Sequence, residues 1–181
     1  LSIRQTRNLC VGQSLTHREV SGLKSVDEVE NAHNKVLGFL AHRPRSEAEV
    51  RIRMARHGVQ EEVVQGVIQR LCADKLIDDA AFSAFWVENR SAFRPRGRRA
   101  LRVELRQKGV SDEVIETVLE TVDELSDARR AAVEKMSRLQ ELTAREWRRK
   151  MWEFLSRRGF EYEVINDVID EMQLIQNEHE D

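Results

Sequence analysis

Apolar residues recur along this chain three and four positions apart, the period of an α-helix with one buried face. The same apolar series is written three times. It registers on three glycines, Gly58, Gly109 and Gly159, spaced 51 and 50 residues apart. Four residues before them stand Met54, Leu105 and Leu155, and one residue after them Val59, Val110 and Phe160. Further on, Val63, Val114 and Val164 correspond, as do Val64, Ile115 and Ile165, then Val67, Val118 and Val168, then Ile68, Leu119 and Ile169. A fixed period of this length marks supersecondary units that cannot bury their apolar faces alone and must stack on their neighbours. The prediction is an all-α, elongated tandem array of three three-helix repeats, about nine helices, behind a short N-terminal extension.

Polar punctuation sets the elements. Residues 1–25 form the extension, where Thr16 to Glu19 reads as a capping box for a short helix ending before Gly22. The first repeat, 26–75, opens with a helix from Val26 to His42 stopped by Pro44, since the residue before proline is pushed out of the helical region. Ser46 and Glu49 cap a second helix that ends at Gly58, and a third runs from Gln60 to Ala73. The second repeat, 76–125, follows the same grammar: a helix capped by Asp78 or Asp79, Pro95, a middle helix from Gly97 to Lys108, and a third started by Ser111. Arg43-Pro-Arg-Ser46 is echoed by Arg94-Pro-Arg-Gly97. In the third repeat, 126–175, Ser126 is the expected first cap and Thr143 with Glu146 forms a capping box, before a polar tail at 176–181.

Composition agrees with soluble helices: 34% of the 181 residues are charged, 40% are apolar and two are prolines. No apolar run reaches the roughly 20 residues of a membrane span, and the chain opens on Leu1 without a basic-then-apolar leader. A cytoplasmic, membrane-free protein is expected, as a monomer. Cys10 and Cys72 lack zinc or redox spacing, so no disulfide is expected and Cys72, in an apolar stripe beside Leu71, reads as a core residue.

The net charge of -2 hides a segregation by helix. From Arg90 to Lys108 eight bases accompany one acid, Glu104, whereas Ser111 to Asp127 holds seven acids and no lysine or arginine. The third repeat repeats the contrast, with Arg145, Arg148, Arg149, Lys150, Arg157 and Arg158 ahead of eight acids in its last helix and tail. On the middle helix of the second repeat, 100° per residue puts Arg99, Arg102 and Arg106 in one stripe away from Leu101 and Leu105, with Arg98 beside it. Such a stripe either meets phosphates or an acidic protein surface, or is a solvated face paired with the neighbouring acidic helix.

Catalytic chemistry finds no foothold. The five histidines form no metal spacing, and Asp78 and Asp79 precede an apolar helix as caps rather than as a catalytic pair. No phosphate-cradling glycine loop or serine elbow is written, so no enzyme, metal or cofactor is expected. Phe82, Phe85 and Trp86 lie at helical spacing and read as core, as do Trp147 and Trp152, while Phe93, between Arg90 and Arg94, is the aromatic left to doubt.

Leu76-Ile-Asp-Asp-Ala-Ala-Phe82, Trp86-Val-Glu-Asn-Arg90, Gly97 and Glu104-Leu-Arg-Gln-Lys-Gly-Val110 resemble the central motifs of the RecX family of recombinase regulators. Arg43-Pro-Arg-Ser-Glu47 and Arg158-Gly-Phe160 fall where that family has its flanking motifs, and the resemblance spans residues 10–172. The third repeat departs from it, with Ala144-Arg-Glu-Trp147 in place of Arg-Pro-Arg. The resemblance implies tandem three-helix modules that bind the RecA filament on DNA and restrain its ATPase, strand-exchange and coprotease activities. On that reading the filament or DNA contacts fall on Arg90, Arg94, Arg98, Arg99, Arg102, Arg106 and Lys108, with Arg148 and Arg149 secondary, and DNA is met weakly or through the filament. Two other readings remain: an autonomous helix-turn-helix DNA binder, opposed by the acids of the third helices, and a helical scaffold for an unrelated acidic protein.

Overall fold

The computed structural model describes residues 14, 16–139 and 142–178, and among them nine helices and no strand. They are α1 (His17–Leu40), α2 (Glu47–Arg56), α3 (Glu61–Ala73), α4 (Asp79–Phe93), α5 (Arg98–Gln107), α6 (Asp112–Glu120), α7 (Glu124–Met136), α8 (Ala144–Arg157) and α9 (Tyr162–Glu178). The chain forms two compact units, one reaching Phe82 and one starting at Ser83.

All three register glycines take positive φ, 70°, 78° and 82° for Gly58, Gly109 and Gly159. Each closes its helix with one hydrogen bond from its own N–H and another from the next residue's N–H to the residue four before the glycine, as Val59 to Met54 at 3.2 Å. A glycine adopts this left-handed turn without a Cβ clash, so the middle helix stops and the third folds back at the same place in each triplet. The residues around it are also equivalent in burial. Met54, Leu105 and Leu155 are 3%, 0% and 0% exposed, and Val64, Ile115 and Ile165 are 1%, 0% and 1% exposed.

In the first unit the core gathers Ala32 and Val36 of α1, Val50 and Met54 of α2, Val63, Val64, Val67, Ile68 and Leu71 of α3, and Ile77. Ser46 caps α2 by accepting from the Glu49 N–H, and Arg43 grips the Glu49 carboxylate with both nitrogens at 2.8 and 3.0 Å. Asp78 caps α4, accepting from the N–H groups of Ala80 and Ala81, while Asp79 reaches back to the N–H of Glu47 at the start of α2.

The second unit holds the core of Ala128, Ala131 and Ala132 on α7, Trp147, Met151 and Leu155 on α8, and Ile165, Val168, Ile169 and Met172 on α9, with Leu139 and Phe160. Thr143 and Glu146 make the reciprocal capping box of α8. Gly97, at the N-cap of α5, lies against the α8–α9 turn. A Cβ on it would fall 2.2 Å from the Gly159 carbonyl oxygen, and one on Gly159 would fall 2.5 Å from Ala100. The Gly97 N–H donates to the Arg158 carbonyl at 3.0 Å, so backbone meets backbone at this joint.

Several expectations are corrected. There is no short helix ending before Gly22, because α1 runs unbroken from His17 to Leu40 and takes in the end of the supposed extension. Asp123, not Ser126, caps α7, accepting from the Ser126 N–H at 3.0 Å; the carboxylate lies one turn earlier and starts the helix there. Cys72 is exposed, since the buried stripe of α3 ends on Leu71 and Cys72 is rotated about 100° past it. On α4 the buried stripe passes through Phe82, Ser83 and Val87, which leaves Phe85 39% exposed and Trp86 half-buried. Trp147 is core at 3% exposure, but Trp152 is 37% exposed and meets Tyr162 edge to face at 6.5 Å. The last helix continues past Gln176 to Glu178, while 179–181 of the supposed tail lie outside the described residues, as does Cys10.

Candidate functional site: the basic face of α5

The segment from Arg90 to Lys108 lies wholly within the second unit, and its cations have three different fates. Most are tied to carboxylates. Arg102 chelates Glu116 of α6 at 2.7 and 2.8 Å, and Arg106 holds Asp112 at 2.6 Å. The hydrogen bonds from Arg102 and Arg106 hold the Glu116 and Asp112 carboxyls below their usual range, and the bond to Glu116 raises the Arg102 guanidinium. α8 and α9 repeat the device, with Arg148 on Asp170 at 2.6 Å and Gln173 at 2.8 Å. Arg149 instead pairs along its own helix with Glu153 at 2.9 Å. The sorting of charge by helix is therefore in part an internal zipper between a basic middle helix and its acidic neighbour.

A second set of cations is spent on structure. Arg98 donates through Nη2 to the Val122 carbonyl at 2.8 Å. Beside it the Glu124 carboxylate, 5% exposed, accepts from the backbone N–H groups of both Arg98 at 3.0 Å and Glu161 at 3.2 Å. One buried carboxylate thus caps the start of α5 and the approach to α9; its desolvation pushes the Glu124 carboxyl above its usual range. Arg90 and Lys108 sit over the Trp86 ring at 4.7 and 4.9 Å, and the indole N–H and the Arg90 Nε both donate to Glu104. Phe39 is held likewise by Arg45 and Arg53, and Phe154 by Lys135 and Arg158, so each triplet of helices has one ring between two cations.

The exposed cations without an ion pair among the described residues are, in this segment, Arg94 and Arg99 and, on α8, Arg145, Lys150 and Arg157. Arg99 and Arg157 line an open groove of about 560 Å³ between α5 and the end of α8, together with Arg102, Val103, Gly159 and one acid, Glu104, which is already tied to Arg90. The Gly97–Gly159 joint fixes the spacing of its walls. The sequence places Arg99 in the stripe but shows Arg157 only as one of the bases of the third repeat, because it is the fold that brings the end of α8 beside α5. No group of three metal-ligating side chains occurs among the described residues, and no described helix is long and apolar enough to cross a membrane.

This geometry defines a class: an all-helical protein of tandem three-helix units whose middle helices carry cations and whose third helices answer with acids. Models of the first, second and third three-helix domains of RecX match residues 32–71, 78–119 and 123–169. The regulatory protein RecX of Prosthecochloris aestuarii is 33% identical over 82% of this chain and 97% of its own. That of Mycobacterium marinum is 38% identical over 77% of this chain and 83% of its own. A crystal structure of regulatory protein RecX superposes with a TM-score of 0.79 at 24% identity, covering 92% of this chain and 83% of that one. The chain belongs to the RecX family of regulatory proteins.

Proposed function

We propose that the protein is a non-enzymatic regulator of recombination and DNA repair that binds the RecA nucleoprotein filament and restrains its ATPase, strand-exchange and coprotease activities. Family membership along nearly the whole length of a relative called regulatory protein RecX carries this reading. The unpaired arginines of the α5–α8 groove support it, because uncompensated cations beside a rigid joint suit a surface rich in phosphate and carboxylate. Arg99 and Arg157 lead the contact. Arg102, Arg106 and Arg148 join by exchanging the carboxylates of α6 and α9 for those of the partner, which costs little because exposed ion pairs contribute little to stability. Arg90, Arg94, Arg98, Lys108 and Arg149 extend or buttress the same face.

A recognition-helix mode gains no support, since α6 shows Asp112, Glu113, Glu116 and Glu120 to solvent and would be repelled by phosphate. The test is RecA ATPase on single-stranded DNA with and without the protein across a salt series. Inhibition that weakens as salt rises is expected, and turnover unaffected by stoichiometric protein at low salt overturns the reading.

A further inference from the structure

Phe93 ends α4 and is 75% exposed, the most exposed of the large apolar residues described. Its surroundings are cationic rather than apolar. Arg90 stands three residues before it, and Arg94, Pro95 and Arg96 follow directly. Arg158 comes in from the α8–α9 turn and donates to the Pro95 carbonyl at 3.2 Å. The guanidiniums of Arg94, Arg96 and Arg158 are close enough that, after burial, the first two help lower the third, against an opposing Glu134. Glu104 is shared between Arg90 at 2.7 Å and Arg96 at 3.7 Å, and Arg94 pairs with no described residue. The place therefore combines a free aromatic face with positive charge in excess of the acids around it.

Two kinds of partner present flat or apolar groups together with negative charge: an unpaired nucleic-acid strand, and an acidic protein segment with an apolar anchor. The setting of Phe93 separates them. A protein anchor is buried in an apolar pocket ringed by polar residues. Phe93 instead stands at a helix end among cations, whereas Trp86 and Phe154 each already meet two cations, Trp147 is buried and Trp152 meets Tyr162 edge to face. An exposed ring alternating with cations is the arrangement on which unpaired bases stack while their phosphates are neutralised.

We propose that Phe93 is a stacking platform for an unpaired nucleobase, with Arg94 and Arg96 on the flanking phosphates, so that the protein contacts single-stranded nucleic acid directly. This deepens the filament reading by naming a nucleic-acid contact, and it is tested without the recombinase so that the two can fail separately. The probe is a fluorescein-labelled oligo(dT) titrated with the full chain at low salt and followed by anisotropy, with a duplex of equal length as comparison. Phe93→Ala weakens single-strand binding by roughly ten-fold or more while helicity is unchanged, as expected for loss of a stacked base. Phe93→Trp retains binding, and its added tryptophan fluorescence, measured against the parent, is quenched by oligo(dT). Arg94→Glu weakens binding and flattens its salt dependence. Equal affinity of Phe93→Ala and the parent, or an unquenched Phe93→Trp, overturns the proposal. So does a parent that binds no oligonucleotide while Phe93→Ala loses inhibition of the recombinase, because the ring then touches protein.

Discussion

At the scale of single residues, what was legible depended on whether the side chain itself announces the conformation. Gly58, Gly109 and Gly159 did so, because their register with the apolar series needs a left-handed stop and glycine supplies it. Lys75 did not. It takes φ 55° after α3 and closes the helix with the same pair of bonds as the glycines, its own N–H to the Cys72 carbonyl and that of Leu76 to Leu71 at 2.8 Å. Lysine pays a Cβ penalty there that glycine does not, partly offset by the freedom glycine gains unfolded, so Lys75→Gly raises stability by about 0.5–1 kcal/mol in urea melts. Gly97 was readable as a helix start, but its closeness to Gly159 is a tertiary distance that no local pattern contains. Gly97→Ala places a Cβ 2.2 Å from the Gly159 carbonyl oxygen and lowers stability by about 1–3 kcal/mol by the same measurement. A neutral result would show that the joint yields.

At the scale of elements, helix identity was legible because apolar period, caps and proline all agreed, whereas the faces were legible only to within a residue. Trp86 and Cys72 stood one step off their buried stripes, enough to move a ring or thiol from core to surface. The caps of α5 and α9 illustrate what lay beyond reach, since Glu124 serves both from a third helix. Glu124→Ala leaves two donors without their acceptor and costs about 2–4 kcal/mol. Glu124→Gln keeps the accepting oxygen and removes the buried charge. Because the folded Glu124 carboxyl lies above its ordinary value of 4.5, the folded state holds its proton longer than the unfolded chain. Its contribution to stability is then lost as pH rises above 4.5, so melts should show Glu124→Gln gaining on the parent over that rise. A parent that gains on the variant as pH rises would contradict this. For the α5–α6 zipper, Arg102→Glu paired with Glu116→Arg rebuilds the ion pair with its polarity reversed. Helicity should match the parent and inhibition of the recombinase should fall; full inhibition would make Arg102 purely structural.

At the scale of the molecule, tandem repetition was legible because each triplet repeats the burial of the last, as the positions of Leu105 and Leu155 show. The surface followed a different logic. The basic stripe left open a face that meets a partner or one that pairs with the neighbouring acidic helix; the fold pairs Arg102 and Arg106 with α6, holds Arg98 and Arg90 in structural contacts, and leaves Arg99 beside an arginine from the next triplet, Arg157. Counting charges along the chain cannot separate these fates, because pairing depends on which helices fold together. The central claim is that the unpaired pair in the α5–α8 groove carries recognition of the filament. It is tested most directly by RecA ATPase on single-stranded DNA with the double variant Arg99→Glu, Arg157→Glu, matched to the parent in helicity. Inhibition should be abolished or fall at least ten-fold in potency, about 1.4 kcal/mol of lost binding; inhibition equal to the parent's would place recognition elsewhere.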